Sequence, residues 1–439
     1  MEGSTTEIVT RLVLQLGAIL LAGKVGSELS ERLFKQPGVL GELVAGMVIG
    51  PFALGGVPLP VIGAIFPPIS GTGTGVSYIP VTVPLYAVAQ IGAVVLLFYA
   101  GLGTDFQQFF RFGGPAAIIA TGGVVVPFFL GNLATVAFGL ASGPMDPKAL
   151  FVGTIMTATS VGISARVLSD IGKLDTPEGV TILAGAVIDD VLGILVLTIV
   201  GGLVAGGGVS AADVALIGGK ALGFWLGLTA VGILLSRYIS RLFLSFKSDG
   251  AILGLSLALA FFCSVIAQQA GLAMIVGAYS IGLALSQTEI AERLSEPLGS
   301  VYHALVPVFF VVMGMLVNFQ AMAPVLLFGG TITILAMAGK ILGCGLPALA
   351  VGFNRAGAIR VGIGMLPRGE VALIVAGVGL TTGLIQSNIF GVAIMMTIVT
   401  TLVAPVALVP VFRRDIPGLR GRPETGHASA ATQLNGRPE

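Results

Sequence analysis

The stretch GAVIDDVLGILVL, Gly185 to Leu197, places two adjacent carboxylates, Asp189 and Asp190, inside an otherwise apolar run. An apolar run of about 20 residues is long enough to cross a bilayer as a helix. A charged side chain at that depth is costly, and in membrane proteins it marks an ion or substrate pathway. The stretch therefore predicts a membrane-spanning helix that carries a functional acidic pair.

The composition of the whole chain is that of a membrane protein. Hydrophobic residues make up 55% of the 439 residues and charged residues only 10%, whereas soluble proteins have about 25% charged residues. The 65 glycines favour helices whose backbones approach each other closely. The net charge of +1 gives no basic surface for a nucleic acid, so we expect no nucleic-acid partner.

Apolar runs near the length of a membrane span recur along the chain, and we count about thirteen of them. They fall roughly at 8–26, 37–53, 84–103, 113–139, 147–170, 177–201, 211–240, 249–269, 271–287, 300–319, 322–351, 357–382 and 387–412. Lysine and arginine cluster in alternate connections, so the positive-inside rule predicts an outside N-terminus and a cytoplasmic C-terminus. The sequence thus predicts an all-α polytopic membrane protein.

Two of these spans are interrupted in the middle. The fifth carries the polar cluster Thr157, Thr159 and Ser160, and the twelfth carries the sequence PRGE from Pro367 to Glu370. Proline removes a backbone donor, so we expect a helix break there. Because the breaks lie seven spans apart, the chain divides into six helices, a linking helix and six more, with the second half inverted. Broken helices at corresponding positions of inverted repeats indicate a transporter site.

Five charged residues lie within the spans, away from the loops: Asp189, Asp190, Lys340, Arg368 and Glu370. Successive helical residues point about 100° apart, so the two aspartates face different surroundings. Lys340 lies in the middle of the eleventh span and predicts an ion pair with one aspartate across helices. Arg368 and Glu370 are expected to neutralise each other or the dipole ends of the broken helix.

The oxygen atoms near the acidic pair suit a hard monovalent cation. Thr157, Thr159 and Ser160 supply hydroxyls beside Asp190, and the region lacks the cysteine and histidine ligands that a transition metal favours. If a cation and protons compete for the same carboxylates, binding one expels the other. The pattern therefore favours exchange of a cation for protons, without a cofactor and without enzyme activity.

Three further ionisable residues are predicted to be structural. Glu42 lies near the end of a span and is expected to reach towards the headgroups, as long charged side chains do. Lys220 is expected to face headgroups or protein on the linking helix. His303 lies at a predicted cytoplasmic span end, where an interfacial hydrogen bond is the expected role.

Four segments together resemble the bacterial sodium/proton antiporters of the cation:proton antiporter-2 family. They are ATSVGISARVL in span five, GAVIDDVLGILVL in span six, Gly339–Lys340 in span eleven and PRGEVALIVA in span twelve. The likeness runs in order over about residues 8–412. It implies an antiporter of the bacterial inner membrane that exchanges Na⁺ or Li⁺ for protons, with membrane lipid around it and a second copy as its partner in a homodimer.

The resemblance also implies roles for individual residues. Asp190 would bind the cation and the proton, and Asp189 would form the salt bridge with Lys340. Thr159 and Ser160 would help to line the site. The Asp–Asp pair resembles the electrogenic branch of the family, which implies two protons exchanged per Na⁺ and a contribution to pH homeostasis.

The implied architecture has a dimerisation domain and a mobile core domain that carries the site across the membrane as an elevator. The predicted boundaries are 1–103 and 249–320 for the dimerisation domain, 104–201 and 321–412 for the core domain, 202–248 for the linking helix and 413–439 for a disordered cytoplasmic tail.

Three alternatives stay open from the residues. A K⁺/H⁺ antiporter of the same family would use the same site. A sodium-coupled symporter for an organic solute would need a larger pocket and does not require the Lys340–Asp189 pair. A channel with Asp189 and Asp190 in a selectivity ring leaves Lys340 unexplained, since a fixed cation repels permeant cations. An intramembrane protease is excluded, because neither GxGD nor HExxH occurs.

Overall fold

The computed structural model describes residues 5–60, 63–68, 79–204, 211–246, 248–413 and 416–421. Within these ranges the chain is all-helical, with two isolated β-bridges and no β-strand. The helices are α1 Thr5–Leu29, α2 Gly38–Ile49, α3 Val83–Leu102, α4 Phe106–Ala137, α5 Pro147–Ile155, α6 Val161–Asp170, α7 Pro177–Val204, α8 Ala211–Leu244, α9 Asp249–Gln269, α10 Met274–Leu285, α11 Glu289–Met315, α12 Phe319–Met322, α13 Leu326–Ala350, α14 Arg355–Gly364, α15 Glu370–Thr381 and α16 Ser387–Arg413. A π-helical turn, Ser30–Phe34, follows α1.

Ten helices in the described part are long and apolar enough to cross a membrane. The protein is therefore a multi-pass membrane protein, as its composition predicts. The remaining apolar segments are the short helix α10 and the two pairs α5–α6 and α14–α15, in which each member is too short to cross alone. In the predicted disordered tail, 413–439, Arg413 ends α16 and residues 416–421 pack back on the fold, where the Asn354 amide donates to the Gly418 carbonyl at 2.9 Å. Residues 414–415 and 422–439 lie outside the described residues.

Some helix ends differ from those predicted. The tenth span was expected at 300–319, but α11 begins at Glu289. Its first turns carry Glu289 and Glu292, which an apolar-run criterion leaves out although acidic residues stabilise a helix N-terminus. Similarly, α4 begins at Phe106 because the Asp105 carboxylate accepts a hydrogen bond from the Gln108 amide at 2.9 Å.

Close glycine contacts hold several helix pairs together. A Cβ on Gly26 of α1 would lie 2.4 Å from the carbonyl oxygen of Gly41 on α2, and one on Gly122 of α4 would lie 2.1 Å from that of Gly343 on α13. These distances leave no room for any side chain, so backbones touch directly. The α4–α13 contact matters for function, because Lys340 lies one turn before Gly343 on α13.

Candidate functional site

The breaks in the two interrupted helices meet and cross. The backbone amide of Ser160, at the end of the α5–α6 break, donates to the carbonyl of Pro367 in the α14–α15 break at 2.7 Å. Four residues further on, the Ser164 hydroxyl donates to the carbonyl of Gly364 at 2.7 Å. Backbone groups freed by each interruption are thus satisfied by the other chain segment, as irregular backbone at membrane depth requires.

Arg368 lies at the centre of this crossing and is fully buried. Its Nη1 donates to the carbonyl of Ala158 at 2.6 Å, just beyond the C-terminal end of α5, where the helix dipole is negative. The Thr401 hydroxyl of α16 donates to the Arg368 carbonyl at 2.5 Å. Arg368 therefore sits where a compensating charge was expected. The side chain of Glu370 lies outside the described residues, so its pairing with Arg368 stays a prediction.

Asp189 and Lys340 form an ion pair across helices. Lys340 Nζ of α13 lies 2.9 Å from Asp189 Oδ1 of α7, and both side chains are 1% exposed or less. Gly123 of α4 faces this part of α13, where a Cβ would lie 2.5 Å from Cys344 Sγ and 3.5 Å from Lys340 Nζ. A pair buried this deeply is strongly destabilised if one partner is removed. The structure thus contains the cross-helix pair that the sequence suggested.

The hydroxyls of the α5–α6 break differ in their partners. Thr157, Thr159 and Ser160 are all buried, as is the Asp190 carboxylate of α7. Thr157 donates to the Thr154 carbonyl in the last turn of α5 at 2.8 Å, and Thr159 makes a long 3.5 Å contact with the Met365 carbonyl. Ser160 Oγ has no hydrogen-bond partner among the described atoms. It is therefore the hydroxyl of this group that is most readily available to a ligand.

Packing connects the helix of the acidic pair to the crossing. Met365, in the α14–α15 break, packs against α7 at Gly185, where a Cβ would lie 3.6 Å from its sulfur. Gly185 lies about one helical turn before Asp189. The same Met365 carries the carbonyl that faces Thr159. Among the described residues, no group of three or more His, Cys, Asp or Glu side chains could hold a metal. The hydroxyl, carboxylate and carbonyl oxygens of the break and the acidic pair are ligands of the kind that a hard cation prefers.

The prediction that Glu42 reaches the headgroups was wrong. Glu42 on α2 is 0% exposed, and its Oε1 lies 3.4 Å from Nη2 of Arg166 on α6. The Arg166 Nε also donates to both carboxylate oxygens of Asp170, at 2.9 and 3.1 Å. Sequence reasoning did not select Arg166 or Asp170, although their spacing of four residues on a helix is a signal for an ion pair.

Arg166 also stacks on two aromatic rings of α11. Its guanidinium carbon lies 5.1 Å from the Tyr302 ring centre and 5.8 Å from that of Phe310, within the range of cation–π contacts. Exposed His303 packs edge-on against Tyr302. Arg166 therefore joins α6 to both α2 and α11. We call Arg166, Glu42, Asp170 and Tyr302 the Arg166 cluster.

A second buried ion pair was also missed. Arg360 Nη1 of α14 lies 2.6 Å from Glu178 Oε1 of α7 and 2.8 Å from the Ile416 carbonyl. Arg360 was not among the charges singled out from the sequence, yet its side chain is buried against the start of α7. Lys220 of α8, by contrast, is exposed.

Comparison with known proteins identifies the family. The model of the family described as "Sodium/hydrogen exchanger, transmembrane" matches residues 17–414. The high-affinity Na⁺/H⁺ antiporter NhaS3 of Synechocystis sp. is 35% identical, over 92% of this chain and 90% of its own length. The Na⁺/H⁺–K⁺ antiporter GerN of Bacillus cereus is 32% identical, over 89% and 94%.

The fold is also that of a solved antiporter. The structure of the sodium proton antiporter MjNhaP1 from Methanocaldococcus jannaschii at pH 8 superposes with a TM-score of 0.64, over 92% of this chain and 99% of that one, at 15% identity. An electron-microscopy structure of the same antiporter gives 0.67. The resemblance predicted from the four segments is confirmed, and the chain belongs to the transmembrane sodium/hydrogen exchanger family.

Proposed function

We propose that this protein is a secondary antiporter that exchanges Na⁺ or Li⁺ for protons across a membrane. The observation that carries the proposal is the buried Lys340–Asp189 pair, next to Asp190 and against the crossing of two broken helices. The relatives NhaS3 and GerN, both named as Na⁺/H⁺ antiporters, support the same activity.

In this proposal Asp190 binds the cation and the proton in turn. Ser160 Oγ, which has no partner within the described protein, and the Thr159 hydroxyl supply further oxygens, as does the backbone of the break. A hard monovalent cation prefers such ligands. Because cation and proton use the same carboxylate, each expels the other. An empty, negatively charged site resists transfer across the membrane, which couples the two fluxes.

We further propose that the exchange is electrogenic, with two protons per cation. This stoichiometry rests on the presence of Asp189 before Asp190, and on Lys340 holding Asp189 in place. The movement of one net charge through 100 mV involves about 2.3 kcal/mol, so membrane voltage would drive the cycle. The test uses proteoliposomes in which valinomycin sets the membrane potential. An inside-negative potential should change the rate of electrogenic exchange, whereas the rate of electroneutral exchange would not depend on the potential.

The proposed architecture follows the expected domains. The breaks of α5–α6 and α14–α15 would lie in corresponding positions of two inverted six-helix repeats, with α8 as the linking helix. Helices α4 to α7 and α13 to α16 would form the mobile core domain, and α1 to α3 with α9 to α11 the dimerisation domain of a homodimer. The core would move as an elevator in the bacterial plasma membrane, with the N-terminus outside.

The test is ion-driven proton movement in proteoliposomes that hold a pH gradient. A proton-sensitive dye reports the response to added Na⁺, Li⁺ and K⁺. We expect Na⁺ or Li⁺ to dissipate the gradient, Asp190→Asn to abolish the response and Asp189→Asn to reduce it. Asp249→Asn, which removes an exposed carboxylate at the start of α9, is the matched control and should be fully active. A fully active Asp190→Asn variant would overturn the proposal.

A second candidate is K⁺/H⁺ exchange at the same site. It is favoured by the similarity to GerN, whose name includes K⁺. The same experiment separates the two candidates. If K⁺ dissipates the pH gradient and Na⁺ and Li⁺ do not, the transported cation is K⁺. Currents without a counter-gradient would instead support a channel, and cation-driven solute uptake without proton movement would support a symporter.

A further inference from the structure

An apolar groove of about 820 Å³ opens between α1, α2 and α16. Its walls carry almost no polar surface, and several lining side chains, among them Val25, Val44 and Val406, are exposed on the outside of the molecule. Direct packing between α2 and α16 is sparse. In a membrane protein, such a surface faces lipid chains, so the groove is a place where an acyl chain fits between helices.

A second cavity of about 870 Å³ adjoins the groove at one end and has a different character. About half of its surface is polar, and it is lined by three cations, Lys35, Lys173 and Arg413. The two cavities follow one another along α16: residues Leu402 to Ala407 line the groove, and Val409 to Arg413 line the second cavity. Together they form an apolar slot with a basic mouth.

The length of this slot matches one leaflet of a bilayer. From Leu402 to Arg413, α16 advances by about 16 Å. The hydrocarbon core of a bilayer is about 30 Å thick, so half of it is about 15 Å. An acyl chain in the groove would therefore place its headgroup at the basic mouth.

The backbone at the mouth has an unusual conformation. Lys35 ends the π-helical turn Ser30–Phe34 with φ 52° and ψ 36°, and it is the only non-glycine residue with positive φ in the described part of the chain. That left-handed conformation is unfavourable for a lysine and is retained where the surroundings hold it. The Lys35 carbonyl accepts from Arg413 Nη2 at 3.5 Å, which joins the π-turn to the end of α16.

The charge at the mouth is positive. Two acidic residues, Glu31 and Asp170, also line it, but Asp170 is already paired with Arg166. Glu31 lies beside Gly38 at the first turn of α2, where the helix dipole offsets a negative charge. None of the ion pairs found among the described residues uses Lys35, Lys173 or Arg413. Their charges are available to an anion.

We propose that this slot binds one anionic phospholipid, with an acyl chain between α1, α2 and α16 and the phosphate at Lys35, Lys173 and Arg413. Basic pockets between transmembrane helices suit anionic headgroups, which the cytoplasmic leaflet supplies. A zwitterionic lipid would fill the groove, but the cations at the mouth would attract its headgroup less strongly. Helices α1 and α2 belong to the proposed dimerisation domain and α16 to the proposed core domain. The lipid would thus bridge the two, a consequence that rests on the proposed function although lipid binding itself does not.

Lipid binding is tested on the purified, delipidated full chain. Phosphatidylglycerol or phosphatidylcholine with identical chains is added in detergent, and native mass spectrometry counts the lipids retained while a thermal melt records Tm. We expect at least a tenfold preference for phosphatidylglycerol, with a rise in Tm that phosphatidylcholine does not give. Equal retention of the two lipids would overturn the proposal.

Variants locate the site. Lys35→Gln/Lys173→Gln/Arg413→Gln should lose the preference, and Val406→Trp, which fills the groove, should lower retention of both lipids. The matched control removes three exposed cations elsewhere, Arg237→Gln/Arg241→Gln/Arg293→Gln, and should keep the preference. If the first triple variant does not fold, Lys35→Gln and Arg413→Gln alone should each weaken it. The site is refuted if the preference for phosphatidylglycerol survives substitution of Lys35, Lys173 and Arg413. It is also refuted if Val406→Trp leaves lipid retention unchanged. Because transport is not measured, failure here leaves the antiporter proposal standing.

Discussion

Two buried ionic clusters in this protein are built differently. Lys340 and Asp189 form a one-to-one pair at 2.9 Å, between helices α13 and α7 that are both assigned to the proposed core domain. Arg166 pairs with two carboxylates, Asp170 of its own helix at 2.9 Å and Glu42 of α2 at 3.4 Å. This second cluster therefore connects the proposed core domain to the proposed dimerisation domain.

In the proposed elevator mechanism, this difference would give the two clusters different tasks. In an elevator, a pair within the core domain travels intact, so Lys340 stays with Asp189 through the transport cycle unless a proton or cation displaces it. A contact between domains has to break whenever the core moves. Arg166 can release Glu42 without becoming an isolated charge, since it keeps Asp170. The first cluster is suited to the chemistry of exchange and the second to setting the resting position of the core.

The largest effect is expected from Lys340→Ala. Removing one partner of a buried pair leaves Asp189 uncompensated, which costs about 3–5 kcal/mol of the unfolding free energy. SDS titration in mixed micelles measures it. Lys220→Ala, at an exposed lysine of α8, should cost almost nothing. The double variant Lys340→Ala/Asp189→Ala should recover part of the loss, and no recovery would show that the pair is not the cause.

A smaller loss is expected from Glu42→Gln. Arg166 keeps Asp170 in this variant, so only one hydrogen bond to a charged group is weakened, worth about 1.5–3 kcal/mol. Because the contact joins the proposed domains, the rate of Na⁺-driven proton movement should also change, which the dye assay measures. Glu292→Gln, an exposed glutamate on α11, provides the comparison. An unchanged exchange rate in Glu42→Gln would contradict the task assigned to the Arg166 cluster.

Gly369→Ala tests the crossing beside the first cluster. A Cβ there would lie 2.7 Å from Ser160 Oγ, so the serine hydroxyl has to move, at a cost typical of overpacking, about 1–3 kcal/mol. We expect a raised apparent KM for Na⁺, because Ser160 is a proposed ligand. Gly113→Ala, where the structure shows open space, should leave the KM unchanged. An unaltered KM in Gly369→Ala would remove Ser160 from the site.

The smallest effect is expected outside the membrane, at Asp146. Backbone amides of Ser142 and Lys148 donate to its carboxylate at 2.9 and 3.0 Å and hold its pKa below the ordinary value of 3.8. A lowered pKa stabilises the folded state above pH 3.8, and this contribution is lost as the pH falls through the folded-state pKa. Asp146→Asn should cap α5 almost as well. Its Tm should differ from wild type above pH 3.8 and converge at lower pH, whereas a constant difference would point to the cap alone.

Much of the helix pattern could be predicted, because an apolar run is a local property of the sequence. Helix α3, Val83–Leu102, follows the predicted run 84–103 within one residue at each end. Lys340 was selected for the same reason, since it is the only lysine in the middle of a core span. That it pairs with an aspartate could be predicted from the few opposite charges available, but the choice of Asp189 over Asp190 came from the family resemblance and not from the residues alone.

The Arg166 cluster could not be found in this way. Arg166 and Asp170 lie near the end of a span, where charges usually reach solvent, and only packing against Tyr302 and Glu42 buries them. That packing joins helices separated by more than a hundred residues. Glu42 misled the prediction for the same reason, because its burial depends on its neighbours and not on its distance from the end of a run.

The glycine contact between α4 and α13 also fixes the position of Lys340 along the axis of α4. With the Gly122 and Gly343 backbones in contact, a slip of α13 by one residue, about 1.5 Å along the axis, would press side chains into backbone carbonyls. The two helices are therefore held in a single register relative to each other. In the proposed elevator cycle, sliding would then occur at other surfaces, and Lys340 would keep its height relative to α4.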